Sequence, residues 1–183
     1  MKRLACAAVF FCATAALPLQ AQWAIQDSRT TADLRGIHAL GNGIAWASGT
    51  QGTVLRTTND GKDWQRCATP PDADHLDFRG IQAFDADTAI VMSSGKGPLS
   101  RLYKTTDACA HWTLLFTNPD PEGFWDAITA DAAEGIVIGD PVDGKFAAFA
   151  SINNGHQRWF PFQAPDRAPT VKLPPPRSKD EAL

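Results

Sequence analysis

Residues 57–64 read Thr-Thr-Asn-Asp-Gly-Lys-Asp-Trp, and the pattern returns 48 residues later, at 105–112, as Thr-Thr-Asp-Ala-Cys-Ala-His-Trp. A looser third copy, Ser-Ile-Asn-Asn-Gly, spans 151–155 and is followed by Trp159. An internal repeat of this length is typical of an array of one supersecondary unit. The sequence therefore predicts three units of one architecture.

The residues upstream of each copy recur as well, because Arg-Gly-Ile at 35–37 and at 79–81 corresponds to Asp-Ala-Ile at 126–128. Each unit divides into short β-type runs separated by glycine or polar turns, and no segment keeps apolar residues at helical spacing. We therefore predict very little helix. The predicted strands are 35–40, 44–48, 53–57 and one starting near 64, then 81–84, 89–93, 101–105 and 112–117, then 127–130, 135–138, 146–150 and 159–162.

Four antiparallel strands in roughly 45 residues match one blade of a β-propeller. The predicted fold is therefore all-β, with about three four-stranded blades in an incomplete ring. We place the blades at 35–78, 79–125 and 126–162, and we read 22–34 as a lone ring-closing strand around Trp23 to Gln26. Residues 163–183 are rich in proline and predict a loop or a disordered tail.

Propellers need about four to eight blades to close their ring. Three blades leave open blade faces, which expose large apolar patches. We therefore expect an N-terminal fragment, a truncated gene product, or a subunit that closes by self-association through those faces.

The N-terminus has the pattern of a secretory signal peptide. Lys2 and Arg3 precede an apolar run that is too short to span a bilayer, and the run ends in a cleavage-like site near Ala21. Residues 1–21 are thus predicted to be removed, which makes the mature chain a secreted or periplasmic protein without a transmembrane segment. A lipoprotein anchor at Cys12 is the competing interpretation.

Two cysteines, Cys67 and Cys109, remain after that cleavage. Because disulfides persist in exported proteins, one bridge between them is the predicted pairing. The alternative is two unpaired buried cysteines.

The repeated turn resembles the Asp-box of sialidase-like BNR propellers, written Ser/Thr-x-Asp-x-Gly-x-x-Trp. In such a turn the Asp or Asn side chain bonds backbone amides, glycine supplies a positive φ, and the tryptophan packs between blades. The longer string at 45–58 resembles the blade signature of the photosystem II stability/assembly factor family, which implies a seven-bladed propeller. The matching box residues are Thr57, Asn59, Gly61 and Trp64, then Thr105, Asp107 and Trp112, then Ser151, Asn153, Gly155 and Trp159.

One end of the predicted blades is the better candidate for binding a protein partner. The connections from one blade to the next emerge there together with the turns between second and third strands, opposite the Asp-boxes. Polar groups interleaved with aromatic side chains suit a peptide or protein ligand. The structural alternatives are that the arginines cap the starts of the blades and that the aromatic side chains belong to the core between blades. The candidate binding residues are Arg35, Arg79, Trp125, Asp126, Lys96 and Asp143, with Gln51, Phe78 and Phe124 close by.

Composition and motifs argue against several other functions. The net charge of −3 comes from mixed signs without a basic cluster, so no nucleic-acid partner is expected. The four histidines lack the paired spacing of a metal site, and we expect neither metal nor cofactor. The leading interpretation is an exported, non-catalytic scaffold. The rival is a truncated sialidase-like glycoside hydrolase, for which this chain supplies Tyr103 as its single tyrosine and no recognisable set of catalytic residues.

Overall fold

The computed structural model describes residues 24–152 and 158–161. Within them the chain forms three four-stranded antiparallel sheets, each following the chain order of its strands. We refer to the sheets as blades 1, 2 and 3. Blade 1 contains β1 (Leu34–Gly41), β2 (Ile44–Gly49), β3 (Val54–Thr57) and β4 (Gln65–Arg66). Blade 2 contains β5 (Asp77–Ala83), β6 (Ala89–Ser94), β7 (Arg101–Thr105) and β8 (Thr113–Thr117). Blade 3 contains β9 (Trp125–Ala130), β10 (Gly135–Val142), β11 (Lys145–Ser151) and β12 (Phe160–Pro161).

The predicted all-β class is confirmed for the described residues. A single 3-10 turn, Gly97–Leu99, is the one helical element in that part of the chain. The first strands of blades 2 and 3 begin at Asp77 and Trp125, slightly before the predicted blade boundaries at 79 and 126, because Asp77 still pairs with Ser94 and Trp125 with Gly139. Nowhere in 24–152 or 158–161 does a helix reach the length and apolarity needed to cross a membrane.

The predicted lone strand at the start of the mature chain is not formed where it can be judged. Residues 24–33 belong to no strand, and Trp23 lies outside the described residues. A strand needs a neighbour for its backbone hydrogen bonds, and each sheet already has its four strands. The segment lies instead beside the first Asp-box turn, where Arg29 pairs with Asp63 at 3.2 Å. The predicted signal peptide and the tail 163–183 also fall outside the described residues.

The blades pack face to face, and their first strands approach most closely. A Cβ at Gly36 would lie 2.8 Å from the Ser48 Oγ and 3.0 Å from the Arg79 carbonyl oxygen of blade 2. At Gly80 it would lie 2.7 Å from the Ile128 Cγ2 of blade 3. The glycine of each Arg-Gly-Ile repeat is therefore required by the spacing between neighbouring blades.

Two apolar clusters fill the spaces between blades. The cluster between blades 1 and 2 contains Trp46, Phe78 and Tyr103, all at most 1% exposed. The cluster between blades 2 and 3 contains Trp125, which is 0% exposed, and Phe149. Large buried side chains of this kind supply most of the hydrophobic stabilisation of a small sheet protein.

The first two Asp-box turns have the same hydrogen bonds. In blade 1 the Thr57 Oγ1 accepts from the Gly61 amide at 3.1 Å, and the Asn59 Oδ1 accepts from the Asp63 amide at 3.0 Å. In blade 2 Thr105 and Asp107 accept from the amides of Cys109 and His111 at 3.1 and 3.0 Å. Cys109 has a φ of 65°, so it takes up the left-handed conformation that Gly61 has in the first turn, at 76°.

The third turn can be judged only at its two ends. Ser151 is buried at the end of β11 and Trp159 is buried just before β12, whereas Asn153 and Gly155 lie outside the described residues. In blade 2 the box tryptophan packs between blades as predicted, because the Trp112 indole donates to the Ala68 carbonyl at 2.8 Å. Trp112 belongs to the cluster between blades 1 and 2.

Hydrogen bonds also set the charge of the second box. The His111 amide, followed by the His111 ring, holds the pKa of Asp107 at about 2, against 3.8 for a free side chain. Because this pKa is depressed in the folded state, the charged Asp107 stabilises the folded protein. This stabilisation is complete above pH 3.8 and is lost as the pH falls through about 2.

We expect Thr105→Val to lower the free energy of unfolding by about 1–3 kcal/mol, because it strands the buried Cys109 amide without an acceptor. Thr105→Ser keeps the hydroxyl and should stay close to wild type. Urea titration followed by circular dichroism measures both. Equal stability of the valine and serine variants would contradict a structural role for the hydroxyl.

Cys67 and Cys109 form a disulfide that joins the end of blade 1 to the box turn of blade 2. The two residues are 42 positions apart, with Cα atoms 5.3 Å from each other. The Ala68 amide next to the bridge donates to the Cys109 carbonyl at 3.3 Å. The cysteine in the glycine place of the second box therefore fastens two neighbouring blades together.

Candidate functional site

The first strands of the blades start at the same end at which the second strands finish. The connection that leaves each of the first two blades meets the turn between the second and third strands of that same blade. The Gly52 amide donates to the Leu76 carbonyl at 2.9 Å, and the Gly97 amide donates to the Gly123 carbonyl at 2.7 Å. The Asp-box turns lie at the opposite end. This arrangement gathers loop residues from several blades on one surface, beside the contacting strands β1, β5 and β9.

Two arginines of this surface share one carboxylate. The Arg35 Nε lies 3.3 Å from one oxygen of Asp77, and the Arg79 Nε donates to the other at 3.1 Å. Both arginine side chains remain 42–43% exposed, whereas that of Asp77 is 24% exposed. Asp77 thus lies between two guanidinium groups from neighbouring blades, and Arg35 has a second carboxylate, Asp33, at 4.0 Å.

An aromatic ring and two carboxylates continue the row into blade 3. The Arg79 guanidinium lies 5.3 Å from the centre of the half-buried Phe124 ring, within cation–π range. Burial, and secondly repulsion from Asp140, raise the pKa of Asp126, while Arg79 attracts its charged form and opposes the shift. We call these six residues the inner-strand charge row: Arg35, Asp77, Arg79, Phe124, Asp126 and Asp140.

The inner-strand charge row has one positive and one negative end. The half-exposed guanidinium groups of Arg35 and Arg79 lie at the first two blades, and the carboxylates of Asp126 and Asp140 lie at the third. An extended peptide that crosses the first strands meets both signs in sequence, with the Phe124 ring between them. Such a surface can select a ligand by the order of its charges.

One predicted binding residue is wrong. Trp125 is 0% exposed and stacks on Phe116, with ring centres 5.5 Å apart, so it belongs to the core between blades 2 and 3. Phe78, also 0% exposed, packs edge-on against Tyr103. The core alternative holds for these two aromatics, whereas Phe124 lies in the inner-strand charge row, against Arg79.

Two other predicted residues lie in hairpin turns of the same end. Lys96 precedes the 3-10 turn of blade 2 and pairs with Glu122 at 2.8 Å, with both side chains about two-thirds exposed. Asp143 is exposed in the turn between β10 and β11, with a φ of 51°. The structure brings together Arg35, Arg79 and Asp126, whereas Lys96 makes its ion pair away from them.

Asp77 and Asp140 were missed by the sequence reasoning. A usable signal was present for Asp77, since Asp33-Leu34-Arg35 repeats as Asp77-Phe78-Arg79 and alternate strand residues share one face. The proximity of Asp140 to Asp126 had no such signal, because it depends on a register shift in the pairing of β10 with β9.

The tyrosine and the metal-ligating residue types of the described part of the chain have structural surroundings. The Tyr103 hydroxyl is buried and donates to the Pro71 carbonyl at 3.0 Å, which makes it a structural group. Within 24–152 and 158–161, no three His, Cys, Asp or Glu side chains come together as a metal site would require.

Comparison with known proteins supports the fold. Neither protein-family models nor curated proteins give a match. Among solved structures, the chain is similar to YCF48 bound to a D1 peptide, with a TM-score of 0.59 and 19% identity over 75% of this chain and 42% of that one. It is also similar to YCF48 from Cyanidioschyzon merolae, with a TM-score of 0.53 and 21% identity over 71% of this chain and 39% of that one.

A third similar structure is an ancestral GH74 enzyme, with a TM-score of 0.50 and 16% identity over 72% of this chain and 20% of that one. The chain is thus a β-propeller protein by fold, and its resemblance to the photosystem II assembly factor family is confirmed at that level. It spans about two-fifths of the length of the YCF48 structures.

Proposed function

We propose that this chain is an exported, non-catalytic propeller scaffold that binds a protein partner through the inner-strand charge row. The observation that carries the proposal is the pair of half-exposed guanidinium groups, Arg35 and Arg79, that Asp77 holds side by side on neighbouring blades. Fixing both side chains in advance lowers the entropy that a ligand has to overcome on binding.

Similarity to YCF48 supports a peptide as the kind of ligand. One of the similar structures holds YCF48 with a D1 peptide. Sequence identity of 19% supports the fold and leaves the partner of this chain open. The partner is therefore proposed by its chemistry: an extended segment with an acidic residue for Arg35 and Arg79 and a basic residue for Asp126 and Asp140.

Export to the periplasm or beyond is proposed for the same protein. Its support is the signal-peptide pattern before Ala21 and the disulfide between Cys67 and Cys109, which joins two blades and persists in an oxidising compartment. The hydrolase alternative gains no support from the buried Tyr103.

Peptide binding by the double variant Arg35→Ala/Arg79→Ala tests the proposal. The probes are three fluorescent nonapeptides: one acidic, one basic, and one zwitterionic with glutamate and lysine about three residues apart, which spans the roughly 10 Å between packed sheets. We expect the zwitterionic peptide to bind better than the other two, because it alone offers both charge signs to the inner-strand charge row. The double variant should bind the zwitterionic peptide at least about tenfold more weakly than wild type does, since two charge-assisted contacts are lost.

The control is Lys96→Ala, which removes an exposed cation from the same end of the blades without touching the inner-strand charge row. It should bind the zwitterionic peptide as wild type does. Equal affinity of wild type and double variant would exclude the row as the site. Unfolding of the double variant, seen by circular dichroism, would reassign both arginines to a structural role.

A further inference from the structure

Equivalent residues of the second strand form the contact between blades 1 and 2 and the contact between blades 2 and 3. The corresponding residues of blade 3 are exposed. The second strands of blades 1 and 2 turn Trp46 and Ser48, then Ile90 and Met92, toward the following blade, and all four are 0% exposed. Strand pairing identifies the equivalent residues in blade 3. Met92 pairs with Gly80 across the sheet, and Ile138 pairs with Ala127 in the same way. Ile90 pairs with Gln82, and Ile136 pairs with Thr129. In blade 3 these equivalents, Ile136 and Ile138, are 39% and 50% exposed.

The exposed surface of blade 3 extends to the next strand. Ile138 pairs with Ala148 in β11, and Phe146, two residues before Ala148, lies on the same side and is 82% exposed. We define the blade-3 free face as Ala127, Ile136, Ile138 and Phe146. It has the position and apolar character of the surfaces that blades 1 and 2 bury.

The receiving half of the contact is exposed on blade 1. Blades 2 and 3 turn Ile81 and Ile128 toward the preceding blade, where Ile81 is 7% exposed and the Ile128 Cγ2 meets the site of Gly80. Their equivalent in the Arg-Gly-Ile repeat, Ile37, is 70% exposed. We define the blade-1 free face as Ile37 and Ala39, together with the half-buried Trp64.

The tryptophans of the first two Asp-boxes have different surroundings. Trp112 of blade 2 donates its indole N–H to the preceding blade at Ala68. Its counterpart Trp64 instead borders an open cavity of about 330 Å³, which Arg29 and Asp63 also line.

We propose that the blade-3 free face of one copy packs on the blade-1 free face of a second copy, and that two copies close into one ring. The occupant is assigned by continuity, since each free face is one half of a contact that the chain already makes twice. The contact is head-to-tail, and such contacts stay finite when the rotation closes. Two copies of the three sheets that the described residues form give six, within the range of about four to eight that closed propellers use.

The repeat also predicts the contacts in the new interface. Ala127 stands where Gly80 stands and should pack on Ile37 of the second copy, as Gly80 packs on Ile128. Because a Cβ at Gly80 would lie 2.7 Å from Ile128, the Ala127 methyl requires a slightly wider spacing there. Ala127→Gly should therefore tighten the association.

A charge contact gives a second prediction with a defined sign. Arg35 contacts Asp77, two residues before Arg79, and Arg79 contacts Phe124, two residues before Asp126. By the same spacing Asp126 should meet Asp33 of the second copy, which Arg35 of that copy neutralises only in part at 4.0 Å. Asp126→Asn should therefore strengthen the association by removing a repulsion between like charges.

Sedimentation equilibrium of the full chain over a wide concentration range tests the proposal. Wild type should weigh twice the monomer mass. Ile138→Asp and Ile37→Asp should each raise the Kd at least about tenfold, because each buries an unpaired charge. Leu114→Asp is the matched control, since Leu114 is 49% exposed on the outer strand of blade 2 and belongs to neither free face.

Three results would overturn the proposal. A wild type that remains monomeric at every concentration excludes the contact, and an assembly that grows without limit excludes ring closure. Loss of the dimer in only one of the two aspartate variants indicates a symmetric contact between like faces. Circular dichroism and the intact disulfide show that each variant is folded, so loss of mass reports association alone.

Discussion

Trp125→Ala is expected to lower the free energy of unfolding by about 3–5 kcal/mol, the range for removing a buried large aromatic side chain. Trp125 is 0% exposed, and its ring lies 5.5 Å from the centre of Phe116 and 5.9 Å from that of Phe149. Alanine leaves a cavity between blades 2 and 3 that the surrounding strands can fill only in part. Denaturant titration at neutral pH measures the loss.

Two neighbouring substitutions separate core packing from surface effects. Trp125→Phe keeps an aromatic ring and removes an indole N–H that is buried without a hydrogen-bond partner, so it should cost clearly less than alanine. Phe124→Ala should have a free energy of unfolding closer to that of wild type, and it should lower the affinity for the zwitterionic peptide. A Trp125→Ala variant as stable as Phe124→Ala would contradict the packing of blade 3 on blade 2.

Loss of the disulfide is expected to have an effect of similar size. Cys67→Ser/Cys109→Ser should lower the free energy of unfolding by about 4 kcal/mol on the chain-entropy model, because the bridge closes a loop between residues 42 apart. The two cysteines are 6% and 1% exposed and lie in the cluster between blades 1 and 2.

Reduction of the wild-type protein provides the control for the serine variant. A reductant should lower wild-type stability to that of the double variant and leave the variant unchanged. Free-thiol titration under denaturing conditions, before and after reduction, verifies the state of the bridge. A loss below about 1 kcal/mol in both experiments would contradict a role for the bridge in joining blades 1 and 2.

The strands were predictable because their turns have local chemistry. The Thr-x-Asn/Asp pattern accepts backbone amides within its own turn, so Thr57 and Asn59 form the same hydrogen bonds wherever the blade lies. Alternation along each strand follows from the pleat. The disulfide pairing was predictable for a different reason, since only Cys67 and Cys109 remain after the expected signal peptide.

The faces of the blades were harder to predict than their strands. Phe124 and Trp125 are adjacent, so one must face the core and the other the surface, and the sequence does not say which. The lone strand predicted around Trp23 failed over 24–33 because its pairing partner had to come from outside the three blades. The repulsion between Asp126 and Asp140 depends on strand register, which a shift of one residue changes.

The most direct test is nuclear magnetic resonance during titration with the zwitterionic nonapeptide, following the Nε–H signals of Arg35 and Arg79. Both signals, and the Phe124 amide, should shift together and saturate with the affinity found by fluorescence. The Gly61 and Cys109 amides, at the opposite end of the blades, should remain in place. Shifts confined to those turn amides, or arginine signals that never move, would contradict binding at the inner-strand charge row.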